Sequence, residues 1–465
     1  MTGKIKYHTV FLALLLFPYN NSVFAHCPLI KLSPSDANAN DRFGISVAID
    51  GNFAVIGAYG CDINGIADSG AAYVFEHTGS TWLQRQKLTA SDASAGAQFG
   101  RSVAIEANTI AIGSYLDNNT GSAYIFTRSA GVWSQQAKLT ALDAAGGDYF
   151  GYSVALDANI AVIGAYECDI NGIDNAGAAY VFSKTDIGWV QQQKLTPSNA
   201  QKNDRFGYSA AIDTNAVLIG SYCSSPFGIR YAGSVYYFTR TAGVWSQQAV
   251  LTASDPNGDN YFGCSVALDA NIAVIGAYEC DINGIADAGA AYVFYKTDTG
   301  WVQQQKLFDT IDPCEEEDFG RSVALEGSAI FVGCPNNRVD GNQTGSVFEF
   351  VRTGQSWMQN RLLSADDSND GDNFGFSTAV SGRNLIVGAH FNANNGASSG
   401  AAYAFNNTSA DFDGDCDVDF ADFALLGGSW RQNNPSRDIA PSPSGDGIVD
   451  IYDLAVLCND WLTGK

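Results

Sequence analysis

Near the C-terminus the run Asp411-Phe-Asp-Gly-Asp-Cys-Asp-Val-Asp-Phe-Ala-Asp422 sets Asp411, Asp413, Asp415, Asp419 and Asp422 at positions 1, 3, 5, 9 and 12 of a twelve-residue loop. That spacing converges hard oxygen ligands on one cation, with position seven, Asp417, offering its backbone carbonyl and Val418 filling the apolar eighth place; the chemistry is Ca²⁺ coordination. The pattern returns at an offset of 31: Asp415, Val418, Asp419, Asp422, Leu426 and Trp430 recur as Asp446, Val449, Asp450, Asp453, Leu457 and Trp461. A second site would draw on Asp446, the Ile448 carbonyl, Asp450 and Asp453. It has Ser442 and Ser444 at positions 1 and 3, and Gly447 at six, where the first loop has Cys416.

Three further loops share the sequence Cys-Asp-Ile-Asn-Gly and carry Asp62 and Asn64, Asp169 and Asn171, and Asp281 and Asn283. Their side-chain oxygens could face a cation, or the Asn-Gly pairs could simply make tight turns closed by an Asx hydrogen bond. Tyr59, Tyr115, Tyr166, Tyr222 and Tyr278 stand just before or near these loops, placed either to stack on a ligand or to pack between neighbouring units. For catalysis, the irregular polar residues are His390, Glu315-Glu316-Glu317 and Asp366-Asp367, each of which reads first as solvated loop. A cluster of such residues in one pocket would favour an enzyme, and a symmetric loop face would favour binding.

The elements that must position these groups come from an internal repeat. Phe-Gly recurs at Phe43, Phe99, Phe150, Phe206, Phe262, Phe319 and Phe374, at intervals of 51 to 57 residues. Each copy carries four short segments rich in Val, Ile, Tyr and Phe and bounded by Gly, Asn and Asp, exemplified by Ser102 to Ile105, Ala54 to Tyr59, Gly70 to Phe75 and Trp82 to Leu88. These are β-strands. A four-stranded sheet cannot bury both faces alone, whereas seven stacked round a ring can, so the expected fold is all-β: a seven-bladed propeller of antiparallel blades. The seventh copy stops at Phe405 without a Trp strand, and Leu29-Ile30-Lys31-Leu32 stands unpaired at the other end. Residues 28 to 33 are therefore expected to supply the outer strand of blade seven and remove an open sheet edge; an open solenoid would leave them unpaired.

With its Phe-Gly and Gly-Ala-Tyr landmarks, the chain resembles the FG-GAP repeat proteins over all seven copies. In the integrin branch of that family calcium sits between the first two strands; here that loop is only Asp50-Gly51-Asn52 or Asp157-Ala158-Asn159, too short to wrap an ion, so those sites are not carried over. Residues 411–465 resemble a dockerin, a small α-helical module of tandem EF-hand-type calcium loops that plugs into a cohesin. The resemblance implies Ca²⁺ as cofactor and a cohesin-like or other extracellular receptor as partner. It also implies that positions 10 and 11, Phe420-Ala421 and Ile451-Tyr452, help to choose it; they are more apolar than the usual Ser-Thr and point to a different receptor.

The N-terminus has Lys4 and Lys6 ahead of an apolar run from Val10 to Phe17 and a Val23-Phe24-Ala25 ending, the pattern of a secretory signal peptide over 1–25. The remaining expected division is 27–405 propeller, 406–410 linker and 411–465 calcium module. Ten Cys in an exported chain suggest disulfides, with Cys416–Cys458 one candidate, and the absence of any CxxC pair argues against zinc.

The whole chain has 25 Lys+Arg against 49 Asp+Glu, a formal charge of −24. That acidity argues against nucleic acid or an anionic membrane as partner, and no later segment is apolar for long enough to span a bilayer. Residues 411–465 hold eleven Asp against Arg431, Arg437 and Lys465. The leading functional expectation is a secreted or cell-surface, non-catalytic recognition or adhesion propeller for protein or carbohydrate, tethered by its calcium module. The alternatives are an extracellular glycoside hydrolase or lyase and a structural cell-surface protein.

Overall fold

The computed structural model describes residues 29–406 apart from 80 and 340, together with Phe423, Leu454, Val456 and Leu457, which are helical. The described chain forms seven four-stranded antiparallel sheets. Blade one runs Val47–Asp50, Phe53–Ala58, Ala71–His77 and Trp82–Leu88, and blades two to six repeat that order. Blade six adds a short hairpin, Arg338–Val339 with Asn342–Gln343. In blade seven, Ser377–Ser381, Asn384–Ala389 and Ala401–Asn406 are completed by Ile30–Leu32, whose register is Ile30 to Ala404, Lys31 to Tyr403 and Leu32 to Ala402. The first strands touch in succession round the ring, and Ser377–Ser381 reaches Val47–Asp50, so the ring is closed.

What welds the blades is the Phe-Gly landmark. All seven Phe side chains are fully buried. Most meet two aromatic rings of the third strand: Phe43 lies 5.5 Å from Tyr73 and 6.0 Å from Phe75, and Phe150 lies 5.5 Å from Tyr180 and 5.9 Å from Phe182. Burial of each such ring stabilises the interface by roughly 1.5–3 kcal/mol.

Next to them runs a ring of hydroxyl bonds. Ser46 Oγ donates to the Gly100 carbonyl at 2.9 Å, and Ser102, Ser153, Ser209, Ser265 and Ser322 repeat the contact until Ser377 donates to Gly44. The second-strand glycine under each bond has no room for a side chain: a Cβ on Gly164 would fall 1.9 Å from the Gly207 oxygen.

No disulfide links the described cysteines; Cys61, Cys168, Cys223, Cys264, Cys280, Cys314 and Cys334 are all free thiols. This corrects the expectation of disulfides for these seven. Cys61, Cys168 and Cys280 are instead buried in separate blades against Tyr73, Tyr180 and Tyr292 hydroxyls at 3.5–3.6 Å. Cys27, Cys416 and Cys458 lie outside the described residues. Among the described residues no helix is long and apolar enough to cross a membrane.

Candidate functional site

A cavity of about 250 Å³ lies on the ring axis, lined by a tripeptide from each of the seven blades, from Ile45-Ser46-Val47 to Phe376-Ser377-Thr378. The middle residue is always the serine of the hydroxyl ring. The residue before it, immediately after Phe-Gly, takes five identities over the seven blades: Ile45, Arg101, Tyr152, Tyr208, Cys264, Arg321 and Phe376. The backbone position repeats because it builds the ring, and the side chain it projects is free to vary because it faces the channel.

Four of these side chains form a bridge across the opening. Arg101 donates to the Tyr152 hydroxyl at 2.7 Å and its guanidinium lies 4.4 Å from that ring's centroid. The Tyr152 and Tyr208 rings follow with centroids 4.9 Å apart, and Arg321, 4.6 Å from the Phe376 ring and 5.3 Å from the Tyr278 ring, bears with its charge on the Tyr208 phenol. Burial pushes both phenols up. For Tyr208 the charge of Arg321, the bond from Tyr152 and the charge of Arg101 outweigh burial and hold it below the usual value, whereas Tyr152 stays raised. Among the described residues neither Arg101 nor Arg321 has a carboxylate within ion-pair distance.

Around the bridge the ends of the second strands add a tyrosine arc. Tyr115, Tyr149, Tyr152, Tyr166, Tyr208, Tyr222, Tyr261 and Tyr278 make an unbroken series of ring contacts with centroid distances from 3.9 to 5.6 Å along it. Tyr115, Tyr166, Tyr222 and Tyr278 therefore do pack across blade boundaries, and all but Tyr222 remain half-exposed. Arg205 donates to Tyr222 at 2.6 Å and pairs with Glu167 at 3.3 Å.

On the opposite side of the mouth His390 replaces the tyrosine, packed 4.1 Å from the rings of both Phe376 and Phe391, with Arg42 stacked 4.2 Å from Phe391. Burial, then the charges of Arg42, Arg321 and Arg101, drive the imidazole well below its usual value and keep it neutral. His390 is thus a buried group at the mouth, where the sequence suggested solvated loop. Glu317, itself buried, differs from that reading too, and burial raises its carboxyl and that of the neighbouring Asp318 to about 7.

The Cys-Asp-Ile-Asn-Gly loops fold as two-residue hairpins. Asn64 and Gly65 both take positive φ (53° and 81°), and Ile63 and Ile66 exchange backbone hydrogen bonds. The Asp62, Asp169 and Asp281 carboxylates accept the N–H of Asp68, Asn175 and Asp287, and Asn171 and Asn283 occupy the same turn position as Asn64. Among the described residues no group of three or more His, Cys, Asp or Glu is arranged to hold a metal ion.

Asp50 and Asp157, in the short loops between first and second strands, accept N–H groups from Ala107 and Thr214 of the next blade. The calcium ligands expected at Asp411–Asp422 and Asp446–Asp453, and the receptor-facing Phe420, Ala421, Ile451 and Tyr452, lie outside the described residues.

Sequence reasoning singled out the outer tyrosines but passed over the channel lining. The available signal was a hypervariable position caught between an unchanging Gly and an unchanging Ser in all seven copies.

No curated protein matches the chain. Among solved structures, one chain of a crystal structure titled "Mitotic Checkpoint Complex" is similar at TM-score 0.51 and 10% identity, over 87% of this chain and 99% of that one, a likeness of fold alone. The FG-GAP repeat model matches residues 29–75, 82–126, 133–182, 189–238, 245–294 and 357–405, each segment running from an outer strand to the third strand of the next blade. The span between 294 and 357, which contains most of blade six, is not among them. With that register and extent, the chain belongs to the FG-GAP repeat family.

Proposed function

We propose that this chain is a secreted recognition propeller that binds its ligand over the channel mouth, on the tyrosine arc and the Arg101–Tyr152–Tyr208–Arg321 bridge. The observation that carries the reading is the convergence of the variable position after each Phe-Gly on a single half-exposed opening, while the Gly and Ser on either side of it serve ring closure. Aromatic faces with polar edges suit ligands that are apolar on one side and wet on the other. The C-terminal calcium loops would tether the propeller to a cohesin-like or other extracellular receptor, a role supported by the spacing of Asp411 to Asp422.

The test is binding of the full chain to arrays of glycans and extracellular proteins. Tyr166→Ala and Tyr208→Ala should weaken any captured ligand at least tenfold, and unchanged binding would place the site elsewhere. Pull-down through the tail should require Ca²⁺.

A second reading, an extracellular glycan-cleaving enzyme, is favoured by the same convergence of irregular residues in one pocket. The channel lining contains no Asp or Glu, so the carboxylate pair of glycoside hydrolysis is missing from it. Only a lyase using Tyr208 as the proton-transfer group fits. Formation of an unsaturated, ultraviolet-absorbing product that Tyr208→Phe abolishes would decide for it.

A further inference from the structure

The chain is strongly acidic, yet its axis presents two guanidiniums whose contacts are phenols and aromatic faces. Burial and the Arg321 charge work against that of Arg101 across the opening, although the surrounding phenols outweigh them and leave the Arg101 guanidinium raised above its usual value. Arg321 senses the Asp318 and Glu279 carboxylates, but among the described residues neither guanidinium has one within ion-pair distance, which leaves room for an anion at the opening. Nearby, His390 Nδ1 and Arg42 Nη1 have no hydrogen-bond partner among the described residues, although His390 is only 4% exposed.

The channel lining itself holds two arginines and no Asp or Glu. Arginine carries five N–H donors and no acceptor, in a fork that matches carboxylate and sulfate. Beside this fork the tyrosine arc offers adjoining ring faces across blades two to five. An acceptor-rich ligand with flat C–H faces meets both demands. A peptide would bring backbone N–H groups that find no carboxylate in the channel lining.

The inference rests on the channel-mouth site proposed above and names the ligand it takes. We propose that the ligand is an acidic glycan, its carboxylate or sulfate held between Arg101 and Arg321 and its sugar rings laid on the tyrosine arc.

Calorimetric titration of the full chain with four probes tests this: a trisaccharide of galacturonic acid, a sulfated galactose trisaccharide, the neutral galactose trisaccharide and a tetraglutamate peptide. At least one acidic sugar should bind ten or more times more tightly than the neutral one, and the two acidic arms show which anion is preferred. The R101Q/R321Q variant should lose that advantage, so that acidic and neutral sugars bind it alike. The R101K/R321K variant, which keeps charge but not the fork, should lie between, and a wild-type denaturation midpoint in either variant ties the change to the site.

Equal affinity for acidic and neutral sugars, abolished by Tyr166→Ala, would overturn the acidic preference and leave the binding site standing. Tighter binding of tetraglutamate than of any sugar would overturn the glycan class. No saturable binding of either acidic sugar, or binding that the arginine variants leave untouched, would overturn the proposal outright.

Discussion

The Lys31 ammonium lies 2.7 Å from the Asp367 carboxylate, across 336 residues of sequence. The contact reproduces, at the seam of the ring, one that the continuous blades also make: Lys87 to Asp36, Lys138 to Asp92, Lys194 to Asp143 and Lys306 to Asp255, all at 2.6–2.8 Å. Tyr403 donates to Asp367 as Tyr124 does to Asp92. The N-terminal strand thus restores the polar corner of a blade as well as its backbone ladder.

That closure is testable at two strengths. Leu32 is buried between blades seven and one, so Leu32→Ala should destabilise the propeller by about 2–4 kcal/mol. Lys31→Ala removes a partly exposed ion pair and should cost no more than about 1 kcal/mol. Urea unfolding of both variants reads the difference, and equal midpoints would contradict the clasp.

Gly164→Ala should be far worse than its chemistry suggests. The added carbon would meet the Gly207 carbonyl at 1.9 Å and the Ser153 hydroxyl at 2.3 Å. We expect loss of soluble protein or a drop of several kcal/mol, beyond the roughly 1–3 kcal/mol of ordinary overpacking. Ser153→Ala, which only removes the hydrogen bond to Gly207, should cost about 1 kcal/mol.

Blade six holds a buried ion pair, Glu349 with Arg361 at 2.6 Å, both almost inaccessible. Removing one partner, as in Arg361→Ala, should cost about 3–5 kcal/mol by stranding a charge. Blade five has Val293 and Gln305 at the same paired positions. The double variant E349V/R361Q should therefore recover most of the loss in a double-mutant cycle.

Stability should peak in mildly acid solution. Burial raises Glu317 and Asp318 to about 7 and Asp204 to about 6, against an unfolded value near 4. The folded chain keeps these protons where the unfolded chain has lost them, so stability falls as pH rises from about 4 through 7. His390, held neutral, opposes this below about 6.5 with a single proton.

For Asp36, Asp92, Asp143 and Asp367, burial pushes up but the lysine and tyrosine hydrogen bonds prevail and hold the carboxyls low. Their contribution is present above about 4 and disappears in stronger acid. Unfolding midpoints from pH 3 to 8 should trace that maximum, and Glu317→Gln should flatten its upper limb.

Calcium should act on the tail alone. Chelation is expected to expose residues 410–465 to protease while the propeller's circular dichroism is unchanged, and Asp415→Asn should lower the calcium stoichiometry. Asp62→Asn and Asp169→Asn should leave that stoichiometry as it was, because those carboxylates cap hairpin turns.

Much of the ring was legible in the residues. Strand positions follow from alternating apolar segments and turn residues, and the missing Trp strand in the seventh copy already pointed to Ile30–Leu32. The cysteines were misleading, because their number says nothing of separation: Cys61, Cys168 and Cys280 occupy equivalent places in different blades, each facing its own tyrosine. The channel lining was misjudged for a related reason. Along the chain Arg101, Tyr152, Tyr208 and Arg321 stand about one or more repeats apart, and each looks like a stray substitution at the start of a strand.

The sequence by itself determined the repeat, its strands, the closing segment and the calcium-loop spacing, since all of these are local periodicities that physics reads within one unit. Only the tertiary structure decided which residues share a site. A ring carries equivalent positions of every unit to one axis whatever their distance along the chain, so the side chains that vary there meet as a set. The two arginines and the tyrosines between them become a surface only when the seventh blade closes on the first.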